Sequence, residues 1–273
     1  MSIRIRSLED LPPKSVVVVY DLEGVGDVSR PTECYMWNLS AMVLGKETHT
    51  FDEFVNPNIR IIPPAPHPKL FGVTREFLKT ANAQPIRVVL EYFFKWLNNH
   101  HDASEGLVVL VAHGNFRYDQ PLLQAECIRS GVTPPSNLYF LDTLHWFRSI
   151  KKGRKSYSLN TLYKNEVGRD LRNAHLAIVD VKALNQLIVA QSPSLHGIMY
   201  QCYHTPLIRI PSVGQFTENL LYDQDINSLE ALIFRYMQQH NHSQTSMAQE
   251  LVQMNVRPCI ATTIAQYVAG LAY

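Results

Sequence analysis

Cysteine is scarce in this chain: the four residues Cys34, Cys127, Cys202 and Cys259 form no CxxC pair and show no short metal-binding spacing. That excludes a disulfide-stapled scaffold and points to reduced thiols in a reducing compartment. Long apolar runs are missing too. Nothing approaches membrane-spanning length, and Met1 to Pro13 carries charge without the apolar stretch of a secretion signal, so an intracellular protein with no membrane partner is expected. Net charge is almost absent at +1, which excludes a histone-like, wholesale attraction to nucleic acid. There are no internal repeats and no low-complexity tracts. What is present is a chain of 273 residues with 46% hydrophobic content, enough to bury a large core in one or two domains.

Strands are predicted near 15–21, 34–44, 48–55, 107–112 and 138–141, with Gly45-Lys46 as a hairpin turn. Helices are predicted near 85–100, 119–131, 142–150, 158–165 and 175–190. The β-branched run from Ser15 to Tyr20 is the pattern of a strand buried on both faces. Three early strands followed by strand and helix alternation predict an α/β fold with a mixed five-stranded sheet and flanking helices. Residues 56–68 carry Pro57, Pro63, Pro64, Pro66 and Pro68, so they read as a loop.

Four acids and one imidazole sit at informative places in this frame. Asp21 ends the first strand, and Glu23, two residues on, points the same way because strands alternate with period two. Asp119 opens the helix after the fourth predicted strand. Asp180 lies in a helix whose apolar face is Leu176, Val179, Ala183, Leu184, Leu187 and Ile188, with His175 at its start. Singly, each has an ordinary role: a solvated acid at a strand end, an acid favoured by a helix N-terminus, a hydrogen-bonded structural histidine. Together they are the side chains that two-metal phosphodiester hydrolysis requires. A cluster of Asp and Glu without Cys suits Mg²⁺ better than zinc. A neutral His beside the metals is suited to take the proton of the attacking water.

The segments around these residues resemble the three exonuclease motifs of the DEDDh (DnaQ-like) superfamily, and within it the three-prime repair exonuclease group. Asp21-Leu22-Glu23 matches the group's Asp-Leu-Glu. The stretch Val111-Ala112-His113-Gly114-Asn115-Phe116-Arg117-Tyr118-Asp119-Gln120-Pro121-Leu122-Leu123 is similar to its Val-Ala-His-Asn-Gly-x-Arg-Tyr-Asp-x-Pro-Leu-Leu. His175 and Asp180 meet its His-x-x-x-x-Asp. Ser156 to Leu162 looks like its Ser-Leu-x-x-Leu segment, and Phe140-Leu141-Asp142-Thr143 like its strand-Asp-Thr/Ser segment. The resemblance spans roughly residues 14–191.

It implies an RNase H-like exonuclease fold over residues 1–191. It also implies two Mg²⁺ ions, replaceable by Mn²⁺, on Asp21, Glu23, Asp119 and Asp180, with His175 as general base. The implied reaction releases nucleoside 5′-monophosphates from a 3′ end, with single-stranded DNA favoured by the second motif and RNA left open. Gly24, Val25 and Gly26 stand where the family has small hydroxyl residues and a Gly, so contact with the terminal sugar falls to the backbone of Gly24 and Val25. Leu70 or Phe71, before Gly72-Val73-Thr74, is placed to stack on the last base or to be plain core. His113 and Asn115 are supporting candidates. The competing reading is a silent nucleic-acid-binding or assembly protein on the same fold, which has no chemical use for four clustered acids.

Arg148, Lys151, Lys152, Arg154 and Lys155 form a basic run that reads either as phosphate contact or as a solvated loop; beside such motifs phosphate contact is favoured. Lys164, Arg169 and Arg172 extend it, diluted by Glu166 and Asp170. Residues 192–273 are expected to be a helical extension. Asn227 with Glu230 and Ser246 with Gln249 read as capping boxes, and Pro258 starts a last helix. This order suits a helix-turn-helix, yet the extension carries Arg209, Arg235 and Arg257 against Glu218, Asp223, Asp225, Glu230 and Glu250. Partner binding or packing is therefore expected of it rather than DNA reading. Homodimerisation is left open.

Overall fold

Eight strands build one mixed sheet in the computed structural model: β1 (Ser2–Ile5), β2 (Val16–Val25), β3 (Tyr35–Val43), β4 (Thr50–Asn56), β5 (Gln84–Pro85), β6 (Val108–Ala112), β7 (Leu138–Asp142) and β8 (Gly197–Gln201). Their order is β1-β8-β7-β6-β2-β3-β4-β5. The structure describes residues 2–28, 31–57, 59, 73–100, 106–171, 176–201, 210–224, 226, 232, 236, 240 and 243–271.

The five predicted strands are the middle of this sheet, and β1, β5 and β8 enlarge it to eight. The cause is the same in each case: short strands carry little hydrophobic signal of their own. Strand β8 pairs antiparallel with both β7 and β1, so the first compact unit runs through residue 202 rather than stopping at 191. The second unit is residues 203–273.

Strand β2 is central because its Val-rich run can be buried on both faces. It pairs antiparallel with β3 and parallel with β6, in the register Val16↔Val108 to Val19↔Val111. Side chains alternate between faces along a strand. Val19, Met42, Val109, Val111 and Leu141 meet one helical layer made of α4 (Thr143–Ile150), α5 (Leu159–Val167) and α6 (Ala177–Val189), through Trp146, Phe147, Leu162, Val181, Leu184 and Ile188. On the other face lie α2 (Ile86–Asn98) and α3 (Asp119–Ser130), with α3 against β2 and β3. The short helix α1 (Arg75–Thr80) was not anticipated; Thr74 caps it by accepting the Phe77 N–H.

The second unit holds α7 (Gln215–Asp223), α8 (Gln244–Gln253) and α9 (Pro258–Leu271) around Leu221, Met247, Leu251, Val256, Ile264 and Val268. Helix α9 starts at Pro258 as expected. Helix α8 starts earlier than expected: Ser243, not Ser246, is its cap and accepts the Ser246 N–H. Ser246 is instead bonded to His240, whose other ring nitrogen lies 2.7 Å from Glu250. The predicted box from Asn227 to Glu230 lies outside the described residues.

Gly106 leads into β6 where the chain of Lys14 passes closest: a Cβ there would lie 2.3 Å from the Lys14 carbonyl oxygen. A backbone atom cannot yield as a flexible side chain can. Gly106→Ala is therefore expected to spread the starts of β2 and β6 and to lower stability by about 2 kcal/mol. Urea denaturation checks this, with the midpoint falling at unchanged slope.

Candidate active site

Asp21 and Glu23 project from the C-terminal end of β2 on the face covered by α6, and Asp180 comes down from the first turn of α6. Ligand oxygens of these three carboxylates all lie within 4.8 Å of one another. Asp21 is opposite Ser40 and Glu23 opposite Asn38 on β3, and the register shifts between Glu23 and Gly24. The extra residue is Trp37 on β3, and such a bulge bends its strand and alters the local twist beside Glu23.

Asp119 joins from a different direction. Strand β6 stops at Ala112, and its pairing with β2 ends at Val19↔Val111, so no strand neighbours β2 on that side beyond Val19. The carboxylate of Asp119, first residue of α3, fills the gap and accepts the Leu22 N–H at 3.0 Å. It is bonded to the residue between the two acids of β2 rather than belonging to the tight group of three.

The acids disturb one another's protonation. Burial first, then the charges of Asp119, Glu23 and Asp180, hold the Asp21 carboxyl well above the ordinary carboxylate range. Burial, then Asp180 and Asp119, push Glu23 up to about 9. Asp119 rises to about 8 through burial, opposed by the Leu22 N–H and reinforced by Asp142 and Asp180. Oxygen-only donors in mutual repulsion are a fitting host for a hard divalent cation.

The loop that delivers Asp119 is held by buried polar groups. Asp142 caps α4 by accepting the Leu144 N–H and also accepts the N–H groups of Gly114 and Phe116. Asn115, fully buried, accepts the Tyr20 hydroxyl and donates to the carbonyls of Leu110 and Leu141. His113 bridges Thr143 and the Tyr157 carbonyl, and burial depresses its pKa, so the ring is neutral and Nε2–H donates to that carbonyl.

A family model described as "Exonuclease" (RNase_T) matches residues 18–188, from the start of β2 to the end of α6. The chain belongs to the exonuclease family. Three prime repair exonuclease 2 of Mus musculus is 37% identical over 101 residues, 34% of this chain and 43% of that protein. Three-prime repair exonuclease 1 of Homo sapiens is 36% identical over 84 residues, 28% of this chain and 27% of that protein. A DNA polymerase III of PolC type from Lactococcus lactis is 30% identical over 176 residues, 64% of this chain and 10% of that protein. The chain thus spans less than half the length of each of these relatives. Among solved structures, the nuclease domain of 3′hExo, a DEDDh family member bound to rAMP, has a TM-score of 0.55 at 17% identity, covering 69% of this chain and 98% of that one. That likeness is one of fold, and it agrees with the RNase H-like exonuclease architecture expected of residues 1–191.

The other sequence candidates stand as follows. Gly24 and Val25 belong to β2, in register with Met36 and Tyr35. A Cβ at Gly24 would lie 2.7 Å from the Tyr118 hydroxyl, so the absence of a side chain there makes room for that phenol. Burial and the nearby Cys34, Asp119, Glu23 and Asp21 raise the Tyr118 pKa, which keeps it a neutral donor. In the basic run, Lys151 and Arg154 both pair with Glu166, at 3.2 and 2.5 Å, and Lys164 pairs with Asp170. Lys152 and Lys155 are exposed and, among the described residues, have no ion-pair partner. His175, Leu70, Phe71 and Arg172 lie outside the described residues.

Sequence reading passed over Asn38 and Ser40, buried on the acid face of β3 and both bonded to Asp52. The signal was there: two polar residues at period two inside an otherwise apolar strand, in register with the acids.

In the metal-free protein the raised carboxyls set a pH dependence. An acid whose folded pKa is raised contributes stability that is complete below its ordinary pKa and is lost as pH rises through the folded value. With Glu23 near 9 and Asp119 near 8, the loss falls between about pH 4 and pH 9. The melting temperature without metal should therefore be lower at pH 9 than at pH 6. Millimolar Mn²⁺ should raise it more at pH 9, and Asp21→Asn should flatten the difference. Thermal melts with EDTA or Mn²⁺ at the two pH values check this; identical curves for wild type and Asp21→Asn would show that the acids do not repel.

Proposed function

We propose that this chain is a metal-dependent 3′→5′ exonuclease that removes nucleoside 5′-monophosphates from nucleic acid, with single-stranded DNA preferred over RNA. One observation carries the reading: Asp21, Glu23 and Asp180 converge within 4.8 Å, with Asp119 tied to the residue between the first two, in a chain of the exonuclease family. The donors are all carboxylate oxygens, which suits two Mg²⁺ ions, with Mn²⁺ as a substitute. Asp21, Glu23, Asp119 and Asp180 would hold them. When bound, such ions lower the pKa of the attacking water and stabilise charge on the phosphate.

The chain's own groups do the rest. His175, shortly before α6, accepts the proton of the water as general base. The backbone at Gly24 and Val25 meets the terminal sugar, and Leu70 or Phe71 packs on the terminal base. Of the basic run, Lys152 and Lys155 bind backbone phosphates, while Lys151 and Arg154 are shared with Glu166. Preference for DNA is supported by the second motif and by relatives named as DNA polymerases and three-prime repair exonucleases. No helix among the described residues is long and apolar enough to cross a membrane. We place the protein inside the cell, with the second unit, residues 203–273, as a docking module for a protein partner.

A gel assay of 5′-labelled single-stranded DNA and RNA of one sequence tests this. Wild type with Mg²⁺ or Mn²⁺ is expected to give a ladder shortening from the 3′ end, faster on DNA, and none with EDTA. Asp21→Ala and Asp180→Ala should each lose at least about a thousandfold in rate while remaining folded. Wild-type cleavage by Asp180→Ala would refute the metal assignment, and faster loss of RNA would reverse the substrate order. Tight binding without cleavage by wild type would make the chain a silent binding module.

A further inference from the structure

We propose that Glu126, held by Arg129, is a positioning residue for Glu23, an inference that rests on the exonuclease reading above. Glu126 is only 3% exposed, yet it is ionisable and lies in the middle of α3. Its Oε1 accepts the Met36 N–H at 2.8 Å. Met36 is the register partner of Gly24, the residue on the far side of the shift that follows Glu23. On the near side, the Leu22 N–H is held by Asp119. Glu23 therefore lies where β2 is held before the bulge by Asp119 and its partner strand β3 is held beyond it by Glu126, two carboxylates of one helix. Asp119 and Glu126 are seven residues apart, close to two full turns, which places both on the same side of α3.

Arg129 completes the grip on the neighbouring strand. It pairs with Glu126 at 2.8 Å, donates to the Cys34 carbonyl at 2.6 Å, and lies 4.8 Å over the ring of Tyr35. Residues 34, 35 and 36 are thus each fixed to α3, at the start of the strand that carries the extra residue of the bulge, Trp37. A bulge leaves its extra residue unpaired and disrupts the ladder locally, so contacts from outside the ladder help to hold its position. Without Glu126, Met36 loses its partner, Gly24 is free to re-pair with β3, and the Glu23 carboxylate drifts from Asp21 and Asp180. A buried charge left without Arg129 would instead seek solvent, with the same consequence.

The full chain is compared as wild type, Glu126→Gln, Glu126→Met and Arg129→Met, by Mn²⁺ titration followed by electron paramagnetic resonance, thermal melting, and steady-state kinetics on single-stranded DNA. Glu126→Gln keeps an acceptor for Met36 and should stay within about threefold of wild type. Glu126→Met should weaken Mn²⁺ binding and lower kcat by about 10- to 100-fold, the range typical of groups that orient metal ligands, with KM little changed. A folded Glu126→Met protein with wild-type Mn²⁺ affinity and kcat overturns the proposal. If Glu126→Met does not fold, Arg129→Met decides: weaker Mn²⁺ binding supports the grip, and wild-type binding overturns it. Absence of cleavage by wild type would remove the nuclease reading alone, because the Mn²⁺ comparison does not depend on turnover.

Discussion

Like charges forced together are what the rest of this molecule is organised around. Three carboxylates within 4.8 Å repel by on the order of 3 kcal/mol per pair at an effective dielectric of about 20. No acid chooses such company, and in isolation each side chain would rotate towards water. The cluster persists because the acids are mounted on two packed supports: Asp21 and Glu23 on β2, Asp180 on the helix packed over it. Part of the folding free energy is held there as repulsion, released when protons or cations arrive.

That support depends on an inequality in strand length. Strand β2 runs several residues beyond the end of β6, and the bare edge so created is where Asp119 enters. An edge amide left unpaired in a partly buried place is costly, so the carboxylate that satisfies Leu22 is doing structural and electrostatic duty at once. Asp142 then holds the loop before Asp119 by accepting two of its N–H groups, and Asn115 anchors that loop by donating to carbonyls of β6 and β7. Chemistry and backbone accounting are carried by the same few atoms.

Much of this was legible in the sequence, for identifiable reasons. The Val-rich runs of β2 and β6 announce buried strands, although β2 continues to Val25 instead of ending at Asp21, so Asp21 and Glu23 lie within it. Residues Ser2 to Ile5 and Gly197 to Gln201 are too short to show a period; the first is a strand through its pairing with the second, and the second pairs in turn with β7. The cap at Ser243 was missed because Ser246 offers a similar pattern three residues later; backbone geometry, not residue type, separates them. Lys151 and Arg154 read as cations available to phosphate, yet Glu166 reaches both from the next helix, a pairing set by the turn between α4 and α5. Glu126 left no sequence signal, since an acid in mid-helix is ordinarily solvated.

The two-turn spacing on α3 also bears on which changes of length this chain can tolerate. Loops lengthen or shorten at small cost because their ends merely have to meet. A helix that holds β2 with its first residue and β3 with its eighth has no such tolerance. One residue added or removed between Asp119 and Glu126 rotates the later grip by about 100° around the axis and moves it 1.5 Å along it. In this chain, therefore, a residue inserted or deleted between Asp119 and Glu126 would release one of the two strands, whereas a substitution on the outer side of α3 would release neither.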